Sequence, residues 1–223
     1  MTDHNIVALP AVDRPFAYRW LAGLFSTEIS AEALEIYKTA EGQTFLNVLT
    51  VEPTLGPIVA VIRNIAKGES KNRSLDLASA YARLFLGAGG PNSAPPYESA
   101  YVSERGTLFQ KSTAEMTDIL RQLDLSVTQG LKEPPDHIAV QLNVMAELAD
   151  RSARAGGQND AVVAEMIERQ TAFIDNHLLT WLPAFRDDCI EVDTSNFYGT
   201  LATATVDFVS KDRAWLSNAG NSI

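Results

Sequence analysis

Cysteine is nearly absent from this chain: Cys189 stands alone among 223 residues. No disulfide can form within the chain, which suits a reducing compartment, and no thiolate zinc site can be built. Histidine is almost as scarce. His4, His137 and His177 nowhere form a His-x3-His or His-Glu-x-x-His pair, so the helix-borne metal site of the zinc proteases is excluded. Gly-x4-Gly-Lys-Ser/Thr and Gly-x-Gly-x-x-Gly are both missing, and with them the usual backbone cradles for phosphate. Cys189 follows His177 without a nucleophile elbow and reads as a core or near-surface residue rather than a nucleophile. Basic residues are few against acidic ones, 18 to 28, for a net charge of −10 and a pI near 4.7. Nucleic-acid partners and anionic membrane surfaces select the opposite balance, whereas a basic peptide is compatible with it. No run approaches the roughly 18 uninterrupted apolar residues of a membrane span. The opening MTDHNIVALPAVDRPF has neither a basic n-region nor an apolar h-region, so it is not read as a signal peptide. The expectation is a cytoplasmic protein with no membrane insertion and no nucleic-acid partner.

What the chain does have is helical periodicity. Hydrophobic residues make up 46% and charged residues 21%, an ordinary globular balance. Phe16, Trp20 and Leu24 recur every fourth residue behind Asp13, a capping type, and Pro15. Ser30 precedes a second segment, and residues 43–51 suggest a short third. Leu55, Ile58, Val59, Ile62 and Ala66 make another stripe, stopped by Gly68. Ser74 precedes another stripe, Leu75, Ala78, Tyr81, Leu84 and Phe85. Ser112 with Glu115 matches a capping box. Asp136 is placed to cap a helix through Ile138, Leu142, Met145 and Leu148, although Ile138, Val140, Leu142 and Val144 also alternate as a strand would. Gly156 and Gly157 end that helix. Further helices follow over Val163–Ile174, over Trp181–Ile190 with Pro183 in the first turn, and over Phe197–Phe208. Residues 217–223 are small and polar and read as a frayed tail. The fold class is all-α: a globular bundle of about ten helices, in an N-terminal half (1–123), a proline-containing hinge (124–136) and a C-terminal half (137–223).

Two segments interrupt the helical pattern. The first is GAGGPNSAPPYESAY, Gly87 to Tyr101, with three Gly, three Pro and two Tyr in fifteen residues. Locally it reads as a helix–helix connection. Its length exceeds the about two to eight residues usual for such links, and long structured loops often carry function. Pro faces beside Tyr97 and Tyr101 make a platform for an extended peptide. The second is Glu133-Pro134-Pro135-Asp136-His137. It reads either as a linker and N-cap, with His137 donating to a nearby acceptor, or as an acidic site for cationic groups, since carboxylates bind guanidinium through charge-assisted hydrogen bonds.

These segments, in this order, carry a family resemblance. Tyr81-x-x-Leu84-Phe85, then Pro95-Pro96-Tyr97-Glu98-Ser99, then Glu133-Pro134-x-Asp136-His137, then His177-Leu178-x-x-Trp181-x-Pro183-x-Phe185 resemble the TorD/DmsD/NarJ group. These are molybdoenzyme-specific chaperones, also called redox enzyme maturation proteins. The likeness spans residues 15–208 and is greatest to the TorD branch, which serves trimethylamine N-oxide reductase; Tyr97 stands where related members have Trp. The resemblance implies an all-helical, non-enzymatic protein. It would bind the twin-arginine leader and the body of an apo-molybdoenzyme precursor, assist molybdenum cofactor insertion, and delay export. It further implies a peptide site of Tyr81, Leu84, Phe85, Pro95, Pro96, Tyr97, Glu98, Ser99, Tyr101, Glu133, Pro134, Asp136, His137, His177 and Trp181. GTP is the one cofactor associated with such proteins, and no nucleotide motif here supports it.

The Pro-containing hinge adds a homodimer by exchange of helical halves. Two readings from other classes compete: a small nucleotide-binding or GTP-hydrolysing helical protein, and a structural subunit of a larger complex. The first predicts turnover, the second a broad apolar face.

Overall fold

Helical spacing of apolar residues becomes helical backbone throughout. The computed structural model describes residues 13–102, 111–125, 133–155 and 160–220. Among these there are eleven α-helices and one isolated antiparallel bridge, Tyr97 to His137. Helix α1 (Asp13–Ser26) buries Tyr18, Leu21 and Phe25. Phe16, expected on that face, lies at its edge and is 39% exposed, its ring against Phe45. Ser30, which precedes this segment in the sequence, caps α2 (Ala31–Lys38), its Oγ accepting from Ala33 N at 3.1 Å. Helix α3 (Ala40–Leu49) starts earlier than predicted because Thr39 Oγ1 accepts from Gly42 N. The α2–α3 corner also requires glycine at 42, where a Cβ would lie 2.0 Å from Ile36 O.

A short 3-10 turn (Pro53–Leu55) leads into α4 (Gly56–Ala66). Helix α5 (Ser70–Phe85) begins a turn before Ser74, whose hydroxyl donates to Lys71 O inside the helix and caps nothing. Helices α6 (Glu98–Val102) and α7 (Lys111–Gln122) follow. Ser112 is inside α7, buried and without a hydrogen bond, so the predicted capping box does not form there. The ambiguous 138–144 stretch is helical, part of α8 (Ile138–Ala155). Helix α9 (Asp160–Phe173) widens into a π turn (Ile174–Leu178), where Leu179 N bonds Ile174 O. Helix α10 (Leu182–Val192) has Pro183 in its first turn, where a missing N–H costs no helical bond. Helix α11 (Tyr198–Gly220) runs through the predicted frayed tail as far as Gly220, because Leu216 is buried and Ser217 bonds Arg213.

Helix α1 lies along α8, α8 also packs on α9, and α11 is cradled by α4, α9 and α10. One continuous core draws on both sides of segment 124–136. Its centre is aromatic: Phe25, Tyr81, Phe85, Phe185 and Tyr198 form a chain of ring contacts with centroids 5.1–6.1 Å apart. Burying each such ring contributes about 1.5–3 kcal/mol.

A polar cross-link closes the bundle. Arg14 on α1 donates through Nη2 to Asp212 Oδ2 at 2.7 Å and to Gln170 Oε1 at 2.8 Å. Tyr18 OH donates to the same Asp212 oxygen, and Trp215 lies 4.5 Å beneath the guanidinium. Three helices distant in sequence are thereby joined through one buried guanidinium.

Residues 126–132 of the expected hinge, the Gly156–Gly157 stop, the opening residues 1–12 and the last three residues lie outside the described residues. Among those described, no helix is long and apolar enough to cross a membrane, and no group of three or more His, Cys, Asp or Glu could hold a metal ion.

Candidate functional site

The Gly-rich segment begins by sealing the end of α5. Gly87 turns the chain at φ +76°, a left-handed value that glycine adopts without strain. Ala88 N and Gly89 N then donate to Ala82 O and Arg83 O. Ala94 N reaches Leu84 O at 2.9 Å, so the loop folds back on the helix it left. Residues 98–102 are helix α6, so the irregular stretch ends at Tyr97 rather than Tyr101.

Here the two interrupted segments meet. Ile138 N donates to Pro96 O at 2.9 Å, and Glu98 N donates to Asp136 O at 3.1 Å. Both groups are first-turn N–H donors, of α8 and α6, that a helix cannot satisfy by itself. Each segment therefore caps the helix that starts in the other. Asp136, predicted to cap α8, instead takes Ser99 N of α6 on Oδ2 at 3.0 Å and Thr113 Oγ1 of α7 on Oδ1 at 2.9 Å. The cap of α8 is His137, whose Nδ1 accepts Ala139 N at 3.1 Å. That bond makes Nδ1 an acceptor and leaves the proton of the neutral ring on Nε2. Burial holds its pKa down to about 4, against the pull of the Glu133 and Asp136 carboxylates.

Outside this junction, Tyr97 OH donates to Glu133 Oε2 at 2.6 Å, and the Tyr97 ring meets His137 edge-on, centroids 5.1 Å apart. Burial, then the Glu133 hydrogen bond, pushes the Tyr97 phenol well up. Behind the junction runs a second chain of contacts. Glu98, 3% exposed, accepts Gln141 Nε2 at 2.5 Å and lies 3.3 Å from His177 Nδ1. Trp181 Nε1 donates to Gln141 Oε1 and to His177 O. Tyr101 lies over Trp181, centroids 5.5 Å apart.

The structure thus gathers Pro95, Pro96, Tyr97, Glu98, Ser99, Glu133, Pro134, Asp136 and His137 at one junction, with Tyr101, His177 and Trp181 directly behind it. Pro95, Tyr97, Glu133 and Pro134 are partly exposed, whereas Asp136 and His137 are buried. Tyr81, Leu84 and Phe85 are turned into the aromatic core. Tyr81 OH bonds Phe25 O at 3.1 Å, and burial with the Glu133 and Glu28 charges pushes its phenol up to about 12. Thr113 and Gln141 went unnoticed in the sequence. Gln141 had a signal, a polar residue on the inner face of the 138–148 stripe; Thr113 had none.

Comparison with known proteins bears on this arrangement. The family described as nitrate reductase delta subunit matches residues 51–187, a span holding both segments. The chaperone protein TorD of Vibrio cholerae (El Tor Inaba) is 35% identical over 199 residues, 88% of each chain. Those of Vibrio atlanticus and Shewanella piezotolerans are each 32% identical, over 90% and 94% of this chain and 93% and 94% of their own. The chain belongs to the TorD and nitrate reductase delta subunit family. In this TorD-family chain the matched span takes in most of the aromatic core, the junction and the Glu98–Gln141–Trp181 chain.

Proposed function

We propose that this TorD-family protein is a cytoplasmic chaperone rather than an enzyme, and that it grips the twin-arginine leader and the body of an apo-molybdoenzyme. It would hold the precursor ready for molybdenum cofactor insertion before export, with a trimethylamine N-oxide reductase as client. Relatives named TorD chaperones along nearly the whole chain support the class of function. The observation that carries the site is the pairing of Tyr97 with Glu133 on the outer side of the mutual cap. A carboxylate accepts several donors, so Glu133 can take a guanidinium while bonded to Tyr97. The partly exposed Pro95, Tyr97 and Pro134 offer apolar contact to the residues that follow an arginine pair. Asp136 and His137 act from beneath, holding the platform, and Leu84 and Phe85 support its base. The net charge of −10 steers a cationic leader inward, and salt weakens that steering.

Calorimetry with the leader peptide of a trimethylamine N-oxide reductase tests this. Saturable binding is expected that weakens with rising salt, with an Arg-Arg to Lys-Lys peptide, and by about tenfold in Glu133→Gln. Equal binding of both peptides, or none, sinks the site. We further propose that exchange of helical halves about residues 124–136 yields a homodimer beside the monomer; a single monomer mass by light scattering at all concentrations refutes that part alone.

A further inference from the structure

Adjacent residues of an extended peptide point their side chains to opposite sides, so two neighbouring arginines diverge and need two acceptors set apart. Glu133 is one. Asp136 is not the other: it is buried, and its two oxygens already take Ser99 N and Thr113 Oγ1. Glu98 is buried too and is bonded to Gln141. A further acid comes from outside both motifs. Glu28 lies in the turn between α1 and α2 and is exposed to solvent.

Tyr81 ties that turn to the junction. Its hydroxyl donates to Phe25 O at 3.1 Å, in the last turn of α1 and just before Glu28 in the chain. Burial, then the charges of Glu133 and Glu28, push its phenol up, so both carboxylates act on this one side chain from different segments. The Tyr198 ring lies 5.8 Å from that of Tyr81; burial is the main cause of its raised phenol, and the Glu28 charge contributes there as well. The last turn of α1 holds no basic residue, so its carbonyl end adds partial negative charge on the Glu28 side. Arg83, the basic residue in the last turn of α5, is turned to Thr194 instead. Among the described residues neither Glu28 nor Glu133 is in an ion pair.

We propose, resting on the leader-binding reading above, that Glu28 is the second carboxylate for the arginine pair. Glu133, held by Tyr97, takes one guanidinium, and Glu28, with the carbonyl end of α1, takes the other. Tyr81 is a positioning residue: its bond to Phe25 O fixes the end of α1, and with it the root of the Glu28 turn, against α5. Such a site tells an arginine pair from a single cation, because either carboxylate alone leaves one guanidinium unmatched.

Calorimetry of the full chain with the leader peptide of a trimethylamine N-oxide reductase, and with two peptides in which one or the other arginine is glutamine, tests the pairing. Glu28→Gln, at an exposed position, should weaken the native leader about fivefold. In Glu28→Gln one of the two glutamine peptides should bind as well as the native leader does, and in Glu133→Gln the other should. Glu168→Gln on α9 removes the same charge and should leave affinity unchanged. Unaltered leader binding in Glu28→Gln, while Glu133→Gln weakens it, overturns the proposal and leaves the leader-binding reading standing. Loss of sensitivity to the same arginine in both variants also overturns it, since the two acids then share one cation. No binding of the native leader to the unaltered chain removes the reading and the proposal together.

Discussion

Tyr97 and His137 face each other across an antiparallel bridge, and each belongs to the segment that caps the other's helix. Four otherwise orphaned donors, of Glu98, Ser99, Ile138 and Ala139, are satisfied within this one junction. Neither motif can shift alone without uncovering a helix end. The Tyr97–Glu133 platform therefore rests on a rigid base, which lowers the ordering cost of binding a flexible peptide.

Asp136 should matter more to stability than an exposed acid would. Its carboxylate is buried and accepts from Ser99 N and Thr113 Oγ1. Asp136→Ala should cost about 2–3 kcal/mol and Thr113→Val about 1 kcal/mol in urea unfolding. An unchanged midpoint in Asp136→Ala would contradict the capping role.

His137 makes stability depend on pH. The unfolded imidazole titrates near 6.5, the folded one at about 4. Between those values the unfolded chain binds more protons, so stability contributed by the neutral ring is full above pH about 6.5 and is lost as pH falls towards about 4. The loss should be on the order of 2–3 kcal/mol. His137→Asn, which retains a capping acceptor, should flatten this part of the profile measured by chemical unfolding from neutral to acidic pH.

Removing one partner of the Arg14–Asp212 pair strands a buried charge. Asp212→Ala should cost about 3–5 kcal/mol, and Arg14→Met a similar amount. The double variant should cost clearly less than the two combined. Additive losses in a denaturation cycle would show that the two residues act independently.

Cys189 is fully buried on α10, and burial, with the Asp193 and Asp188 charges, pushes its thiol up. The thiol should resist Ellman's reagent in the native protein and react only as fast as the chain unfolds. Immediate stoichiometric reaction under native conditions would refute this placement.

Ser30 standing before α2, Pro183 opening α10 and the stripe Ile138, Leu142, Met145 were legible, because each depends on contacts within one or two helical turns. Ser74 and Ser112 misled for the same reason: a capping residue type marks a start only if the backbone turns there, and packing set both starts elsewhere. Gln141, Thr113 and the Arg14–Asp212 pair left little trace, since their partners lie far away in the chain. The junction was legible as two unusual segments meeting in one place, but not as a mutual cap of two helices.

Local order settled the all-helical class, the positions of most helices and the two breaks, since 3.6-residue periodicity and the backbone limits of Gly and Pro act over a few residues. Tertiary structure alone decided that Asp136 serves α6, that His137 serves α8, and that Leu84 and Phe85 face inward while Tyr97 and Glu133 face out. Those choices follow from which buried donors must find acceptors once the helices pack, a condition no single stretch of chain contains.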